Sequence, residues 1–172
     1  MAGVVAVVVV DFPVAAAAAA AVERAEDGEI MKDFLTTEQE QEVVEAIRAA
    51  EAQTSGEIRV AITSRWILRP ERHAWRLFGR LDMTRTRHRN AALIVLFTRR
   101  RRFVVLGDSG LNEIVKPGDW QDIAAEMTGL LRDGRKLDAL TAAIRKLGGT
   151  MAGHWPPEAT DPDELPNAVV RD

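Results

Sequence analysis

Two continuous apolar runs separated by four arginines dominate the pattern of hydrophobic and polar positions along this chain. Residues 91–97 read Ala-Ala-Leu-Ile-Val-Leu-Phe, and residues 103–106 read Phe-Val-Val-Leu. Short apolar runs rich in β-branched residues are typical of strands, and the charged tetrad between them has the length of a hairpin turn. Because the first run lacks polar alternation, we predict a central strand covered on both faces. The Gly107-Asp-Ser-Gly110 segment that follows predicts a turn.

Helical and alternating patterns precede the hairpin. The first helix begins at a capping box, either Thr36–Gln39 or Thr37–Glu40, and ends near residues 55–56. Residues 57–63 alternate between apolar and polar positions, which predicts the first strand. An amphipathic helix with an arginine face is expected over about residues 71–83.

Two further helices are predicted after the hairpin. The first has Asp119 as its N-cap and ends at Asp133-Gly134. The second carries its apolar stripe over residues 137–151, and Gly148-Gly149 within it suggests close packing. The order α-β-α-β-β-α-α predicts an α/β fold, a three-layer-type sandwich with a small mixed β-sheet flanked by helices. The β-α-β unit should pair in parallel through a right-handed crossover.

Both ends of the chain differ in composition from this core. Residues 4–10 are nearly all valine and residues 15–21 are all alanine, with Asp11 and Pro13 between the runs. A secretory signal has a basic segment before its apolar run, and none precedes residue 4. A membrane-spanning helix needs roughly twenty uninterrupted apolar residues, which the break at Asp11 and Pro13 interrupts.

These compositions define the expected domain boundaries. We interpret residues 1–33 as a biased, disordered segment, residues 34–157 as the folded α/β domain and residues 158–172 as a disordered acidic tail. The preferred explanation of the first segment is that translation starts at Met31, which predicts a cytoplasmic protein. The alternatives are a degenerate signal or a membrane anchor, and residues 1–22 would then direct export or anchoring.

Charge is distributed unevenly along the chain. The net charge is only −3, yet residues 65–102 hold twelve arginines and two acids, a local charge of +10. Cysteine is absent, which excludes disulfides and thiolate metal sites, and the three histidines lack the spacing of a zinc site. This asymmetry points to an acidic partner.

Several landmarks together resemble the TPM domain family, a phosphatase-like family that includes thylakoid-lumen acid phosphatases. They are Thr54-Ser-Gly-Glu57-Ile, Arg89-Asn90-Ala-Ala-Leu-Ile-Val-Leu, Arg102-Phe-Val-Val-Leu-Gly107-Asp-Ser-Gly110-Leu and Ala152-Gly-His154-Trp-Pro156. The resemblance covers about residues 34–157 and implies a metal-dependent hydrolase of phosphate esters. Many members carry Asp-Asn-Gly where this chain has Arg89-Asn90-Ala91, and Gly-Tyr-Gly-Leu-Glu-Gly where it has the segment that starts at Gly107.

The first functional hypothesis is an acid phosphatase-like enzyme. Oxygen-bearing side chains gather within twelve residues: Asp108, Ser109, Asn112, Glu113 and Asp119. Such clusters suit the divalent metals Ca²⁺ or Mg²⁺. Together with the resemblance, this predicts Asp108, Glu113 and Asp119 as metal ligands, and Asp108 and Arg89 as catalytic residues, with Arg89 touching phosphate. The alternative is structural: a turn, two solvated side chains and a helix cap.

The second hypothesis is a non-catalytic interaction module. Candidate anion-binding residues are Arg85, Arg87 and Arg89 before the central strand and Arg99, Arg100, Arg101 and Arg102 at the hairpin tip. These would bind an acidic protein or an anionic membrane surface, unless the tip is only a solubilising turn. Nucleic acid is not an expected partner because no aromatic residues interleave with the arginines. The four tryptophans are interpreted as core, and a monomer is expected.

Overall fold

A five-stranded mixed sheet organises the structure. The computed structural model of the chain describes residues 4–12, 34–157 and 168–172. Its strands are β1 (Val4–Asp11), β2 (Ile58–Thr63), β3 (Ala92–Phe97), β4 (Arg102–Asp108) and β5 (Val169–Arg171). Its α-helices are α1 (Thr37–Glu51), α2 (Pro70–Arg80), α3 (Ser109–Ile114), α4 (Pro117–Arg132) and α5 (Lys136–Ala152), and 3₁₀ turns cover Met83–Arg85 and Thr98–Arg100.

The central position of β3 confirms the sequence prediction. The strand order is β1-β4-β3-β2-β5, and all six residues of β3 are buried. It pairs in parallel with β2 and antiparallel with β4, as expected for a β-α-β unit followed by a hairpin. An unbroken apolar run is stable here because both of its faces are covered by other elements.

Helices cover the two faces of the sheet unequally. Side chains of α1, α4 and α5 pack on one face around Ile94 and Phe103. On the other face, Leu77 and Phe78 of α2 pack against Val95 and neighbouring strand residues. The chain is therefore the three-layer α/β sandwich predicted from the order of elements, with one helix in one layer and the longer helices in the other.

Local sequence signals account for several helix boundaries. Thr36 and Gln39 form the predicted capping box of α1. Gly134 follows α4 at a φ of +77°, as a left-handed end requires. A side chain at Gly148 would approach Ala50 Cβ to 2.6 Å, so this glycine does permit close helix packing. The N-cap prediction for Asp119 was wrong: α4 begins two residues earlier, at Pro117.

The Gly107-Asp-Ser-Gly110 segment is not the predicted free turn. It completes β4 and starts the short helix α3, with Asp108 as the N-cap. The carboxylate of Asp108 accepts a hydrogen bond from the Ser109 amide at 2.7 Å, which satisfies one of the free amides of the helix. The turn-forming residues mark a helix start here because their polar side chains also cap helices.

Both sheet edges come from segments that were interpreted as disordered. Val4–Asp11 pairs antiparallel with β4, and Val169–Arg171 pairs in parallel with β2. The disorder prediction is therefore wrong for residues 4–12 and 168–172. Valine-rich segments form strands readily. Each of these segments pairs with the backbone of a strand that would otherwise lie at an exposed edge of the sheet. The remaining parts of the 1–33 and 158–172 predictions lie outside the described residues.

Helix length and hydropathy bear on membrane insertion. Within residues 4–12, 34–157 and 168–172, no helix combines the length and the apolar character needed to cross a bilayer.

Candidate functional site

The β3–β4 hairpin presents charged residues at two opposite ends of the sheet. We call the end where β3 begins, with residues 86–91 and 108–111, the amino end. The end where β2 and β3 finish, with residues 64–69 and 98–101, is the carboxyl end. A six-residue strand separates them by about 20 Å.

At the amino end, Arg89 and Asp108 form a two-point ion pair. Arg89 Nε donates to Asp108 Oδ2 at 2.6 Å, and its Nη2 donates to Oδ1 at 2.8 Å. The Asp108 side chain is fully buried, whereas 38% of the Arg89 side chain is exposed. Hydrogen bonding to Asp108 raises the pKa of Arg89 above its ordinary value. The two residues predicted as catalytic therefore lie together, and their side chains form an ion pair with each other.

Backbone contacts lock the two loops of the amino end. The amide of Gly110 donates to the carbonyl of Arg89 at 2.9 Å, and the amide of Asp108 donates to the carbonyl of Ala91 at 2.9 Å. A Cβ at Gly110 would lie 2.3 Å from the His88 carbonyl oxygen, so only glycine fits. Arg89 itself has a φ of +53°, a conformation held by these neighbours.

The acidic residues predicted as metal ligands do not gather around Asp108. Glu113 is exposed on α3, and Asp119 is exposed and accepts the Lys116 amide at 3.0 Å. Both carboxylate oxygens of Asp108 already accept hydrogen bonds from Arg89. Across the described parts of the chain, no three Asp, Glu or His side chains are arranged to hold a metal ion. The described donor set therefore does not fit a Ca²⁺ or Mg²⁺ site.

At the carboxyl end, the hairpin turns sharply and carries three arginines outwards. Thr98 Oγ1 donates to the Thr63 carbonyl at 3.2 Å, which ties the turn to the end of β2. Arg101 adopts a φ of +48° to complete the turn. We call Arg99–Arg101 the arginine tip. The next residue, Arg102, instead pairs with Asp11 of β1 at 2.5 and 2.7 Å.

An exposed apolar pair lies beside the arginine tip. Trp66 is 60% exposed and Leu68 is 77% exposed, while Ile67 between them packs into the core. The Arg100 guanidinium carbon lies 4.9 Å from the centre of the Trp66 ring, which is cation–π distance. The core interpretation was wrong for Trp66. The available signal was the run of three apolar residues in a short loop, where only one can face inwards.

The predicted anion-binding arginines do not form one surface. Arg87 and Arg89 lie at the amino end, where Arg89 is paired with Asp108. Arg85 directly precedes this end and lies 3.5 Å from Asp82. Arg99–Arg102 lie at the carboxyl end, across the length of β3. Only nine residues separate Arg89 from Arg99 in the sequence, but the extended strand between the two groups places them at opposite ends of the sheet.

A third cluster joins the end of the chain to α2. Asp172 Oδ2 lies 2.6 Å from His73 Nε2, and its other oxygen accepts from Arg80. Burial by itself would raise the pKa of Asp172, but the hydrogen bonds from Arg80 and His73 outweigh it and the pKa falls below its ordinary value. The amide of Asp172 also donates to the Ile62 carbonyl at 3.2 Å, extending the pairing of β5 with β2.

Comparison with known proteins agrees with this fold. The model of the TPM domain family matches residues 30–150. The chain belongs to the TPM domain family. Among solved structures, this TPM domain is similar to the NMR structure of the BA42 protein from the psychrophilic bacterium Bizionia argentinensis. The two are 34% identical, the match covers 81% of this chain and 97% of BA42, and the TM-score is 0.76. No curated protein sequence matches the chain.

Both ends of the sheet belong to the TPM domain, because the family match includes the whole amino end and the whole carboxyl end. At the amino end, an arginine and an aspartate bind each other; at the carboxyl end, arginines face solvent beside apolar side chains.

Proposed function

We propose that this TPM domain is a binding module for anionic surfaces, which it contacts through the carboxyl end of its sheet. The observation that carries the proposal is the exposure of Arg65, Arg69, Arg99 and Arg101 around one end of the molecule. None of these four forms an ion pair with a described acidic residue. Guanidinium groups in this state are available to carboxylates or phosphates, which they bind in two-point contacts.

The acidic groups near this surface offset only part of its charge. Asp11 is engaged by Arg102, and Asp172 is engaged by His73 and Arg80. Hydrogen bonding to Arg102 lowers the pKa of Asp11, with a smaller contribution from Arg100, so that carboxylate stays bound to its partner. Hydrogen bonding to Asp11 in turn raises the pKa of Arg102, with a smaller contribution from Glu71. The field of the tip therefore extends into solvent and would steer an acidic surface towards this end, although the whole chain is negative.

Retention on immobilised heparin, used as a polyanion probe, tests the proposal. The tip variant replaces Arg99, Arg100 and Arg101 with serine. Its matched control replaces the exposed Arg48, Lys116 and Arg145, which lie in α1, just before α4 and in α5, so both variants lose three positive charges. We expect the tip variant alone to elute at clearly lower salt, because attraction falls with separation and screening. Equal shifts in both variants would show that only net charge matters.

Metal-dependent phosphatase activity is the competing function that the family resemblance suggests. The Arg89–Asp108 pair argues against it, because a metal at Asp108 would have to displace a guanidinium held at 2.6 and 2.8 Å. We expect p-nitrophenyl phosphate to be hydrolysed no faster with Mg²⁺ or Ca²⁺ than with chelator. Metal-dependent turnover that is lost in Asp108→Asn would reinstate the enzyme.

A further inference from the structure

The exposed pair Trp66 and Leu68 is not explained by anion binding alone. Large apolar side chains at 60% and 77% exposure on a short loop gain nothing from facing water. We call Trp66 and Leu68 the apolar wedge. Within the described chain, these are the large hydrophobic side chains that remain exposed, and both lie at the same end as the arginine tip.

The loop that carries the wedge is anchored, so the wedge projects outwards. Ile67 packs into the core between the two wedge residues. Thr63 Oγ1 accepts the Arg65 amide at 3.2 Å just before the wedge, and Pro70 starts α2 two residues after it. Anchors on both sides and in the middle hold the two side chains away from the sheet without burying them.

We infer that the carboxyl end docks on anionic lipid bilayers, with the apolar wedge in the interfacial region and the arginine tip on lipid phosphates. This inference rests on the proposed function and specifies its partner. Tryptophan favours the membrane interface because it joins an apolar ring to a polar N–H. Basic side chains beside an inserted apolar group hold anionic headgroups, and the two contributions add.

Charge complementarity selects this occupant over an apolar protein groove. The wedge is flanked by Arg65 and Arg69 along the chain and by the arginine tip across the loop. A ring of guanidinium groups around two apolar side chains matches the layering of a bilayer, where phosphates lie outside the acyl chains. Arg100 bridges both parts, since it stacks on Trp66 while belonging to the tip.

Sedimentation with lipid vesicles tests the inference on the full chain. We expect binding to vesicles of phosphatidylcholine mixed with phosphatidylserine, and much weaker binding to phosphatidylcholine alone. Replacing the arginine tip with serine should lower the partition coefficient about fivefold for each charge removed. The control lacking Arg48, Lys116 and Arg145 should bind like the wild type, because these residues lie towards the amino end of the sheet, away from the arginine tip.

The wedge is tested separately from the charges. Trp66→Ala combined with Leu68→Ser should lower vesicle partitioning roughly tenfold. Retention on heparin should stay near wild type in this variant because its charges are unchanged. Unchanged vesicle binding would overturn the inference and leave the proposed function standing. If the wild type bound neither heparin nor vesicles, both the proposed function and the bilayer inference would be rejected.

Fluorescence gives an independent readout of insertion. Trp66 is the exposed one of four tryptophans; Trp120 is buried, and Trp75 and Trp155 are partly buried. Adding anionic vesicles should shift emission to shorter wavelength in the wild type, whereas Trp66→Phe should bind without that shift. A shift that persists in Trp66→Phe would show that a different tryptophan responds to the vesicles and would overturn the inference. Binding to acidic polypeptide but not to vesicles would also overturn it and would identify a protein partner.

Discussion

The amino and carboxyl ends of the β3–β4 hairpin both carry arginine, but only the amino end supplies it with a buried partner. Arg89 binds the fully buried Asp108 at two points, whereas Arg99 and Arg101 extend into solvent without an ion pair among the described residues. The same residue type thus stabilises one loop junction and leaves charge available at the other. Arginine content alone does not identify a binding surface, because the position of the nearest acid decides the role.

The largest effect is expected from unpairing the amino end. Arg89→Met leaves the Asp108 carboxylate buried without a counter-charge, which should cost about 2–4 kcal/mol of unfolding free energy. Asp108→Asn keeps an N-cap for α3, and the partly exposed Arg89 can turn to water. We therefore expect this variant to lose only about 1–2 kcal/mol of unfolding free energy. Denaturant unfolding of both variants measures this. A larger loss of unfolding free energy in Asp108→Asn than in Arg89→Met would contradict the expectation that the buried carboxylate depends on the ion pair more than the partly exposed guanidinium does.

A second test separates the tight loop junction from an ordinary helix surface. Gly110→Ala places a Cβ against the His88 backbone carbonyl and should cost about 1–3 kcal/mol through a forced backbone shift. Gly129→Ala is the matched control, because it lies within α4 with nothing within 4 Å of the added atom. It should stabilise by about 0.5–1 kcal/mol. Thermal melts compare the two, and equal destabilisation would show that the junction is not tight.

A third test uses pH at the cluster that joins Asp172 to α2. The pKa of Asp172 is lowered, so its contribution is fully present above the unfolded value of 3.8 and is lost as pH falls through the lower folded value. We expect β5 to exchange its amide hydrogens faster as pH falls below about 4, after correction for intrinsic rates. Asp172→Asn should show fast exchange of β5 at neutral pH. If wild-type protection of β5 stayed constant through this range, the ion pair would not hold the strand.

The smallest effect is expected at the pair that joins β1 to β4. Asp11 is 68% exposed and Arg102 is 23% exposed, so solvent weakens their attraction. Asp11→Asn should cost about 0.5 kcal/mol, and less at high salt. A double-mutant cycle with Arg102→Met isolates the coupling. A coupling free energy several times larger than this would show that solvent does not weaken the pair, and that it resembles the buried Arg89–Asp108 pair.

Local sequence patterns determined most of the layered core. The apolar run of β3, the capping box of α1 and the glycine after α4 each specify their structure within a few residues. The valines of Val4–Asp11 also carry a local strand signal, whereas the last strand was not predictable in this way. Val169–Arg171 is too short to form a strand alone, and its pairing with β2 depends on an edge that exists only after the sheet has formed.

Functional geometry depended more strongly on tertiary structure. The sequence alone determined that arginines concentrate in residues 65–102 and that Asp108 follows a strand. Only the register of β3 with β4, which places Ala92 opposite Gly107, brings Arg89 to Asp108. The same six residues of β3 carry the arginine tip to the far end, where the loop after β2 meets it and leaves Trp66 exposed beside Arg100. Charge is a property of each residue, but whether it is neutralised depends on distance in the folded chain.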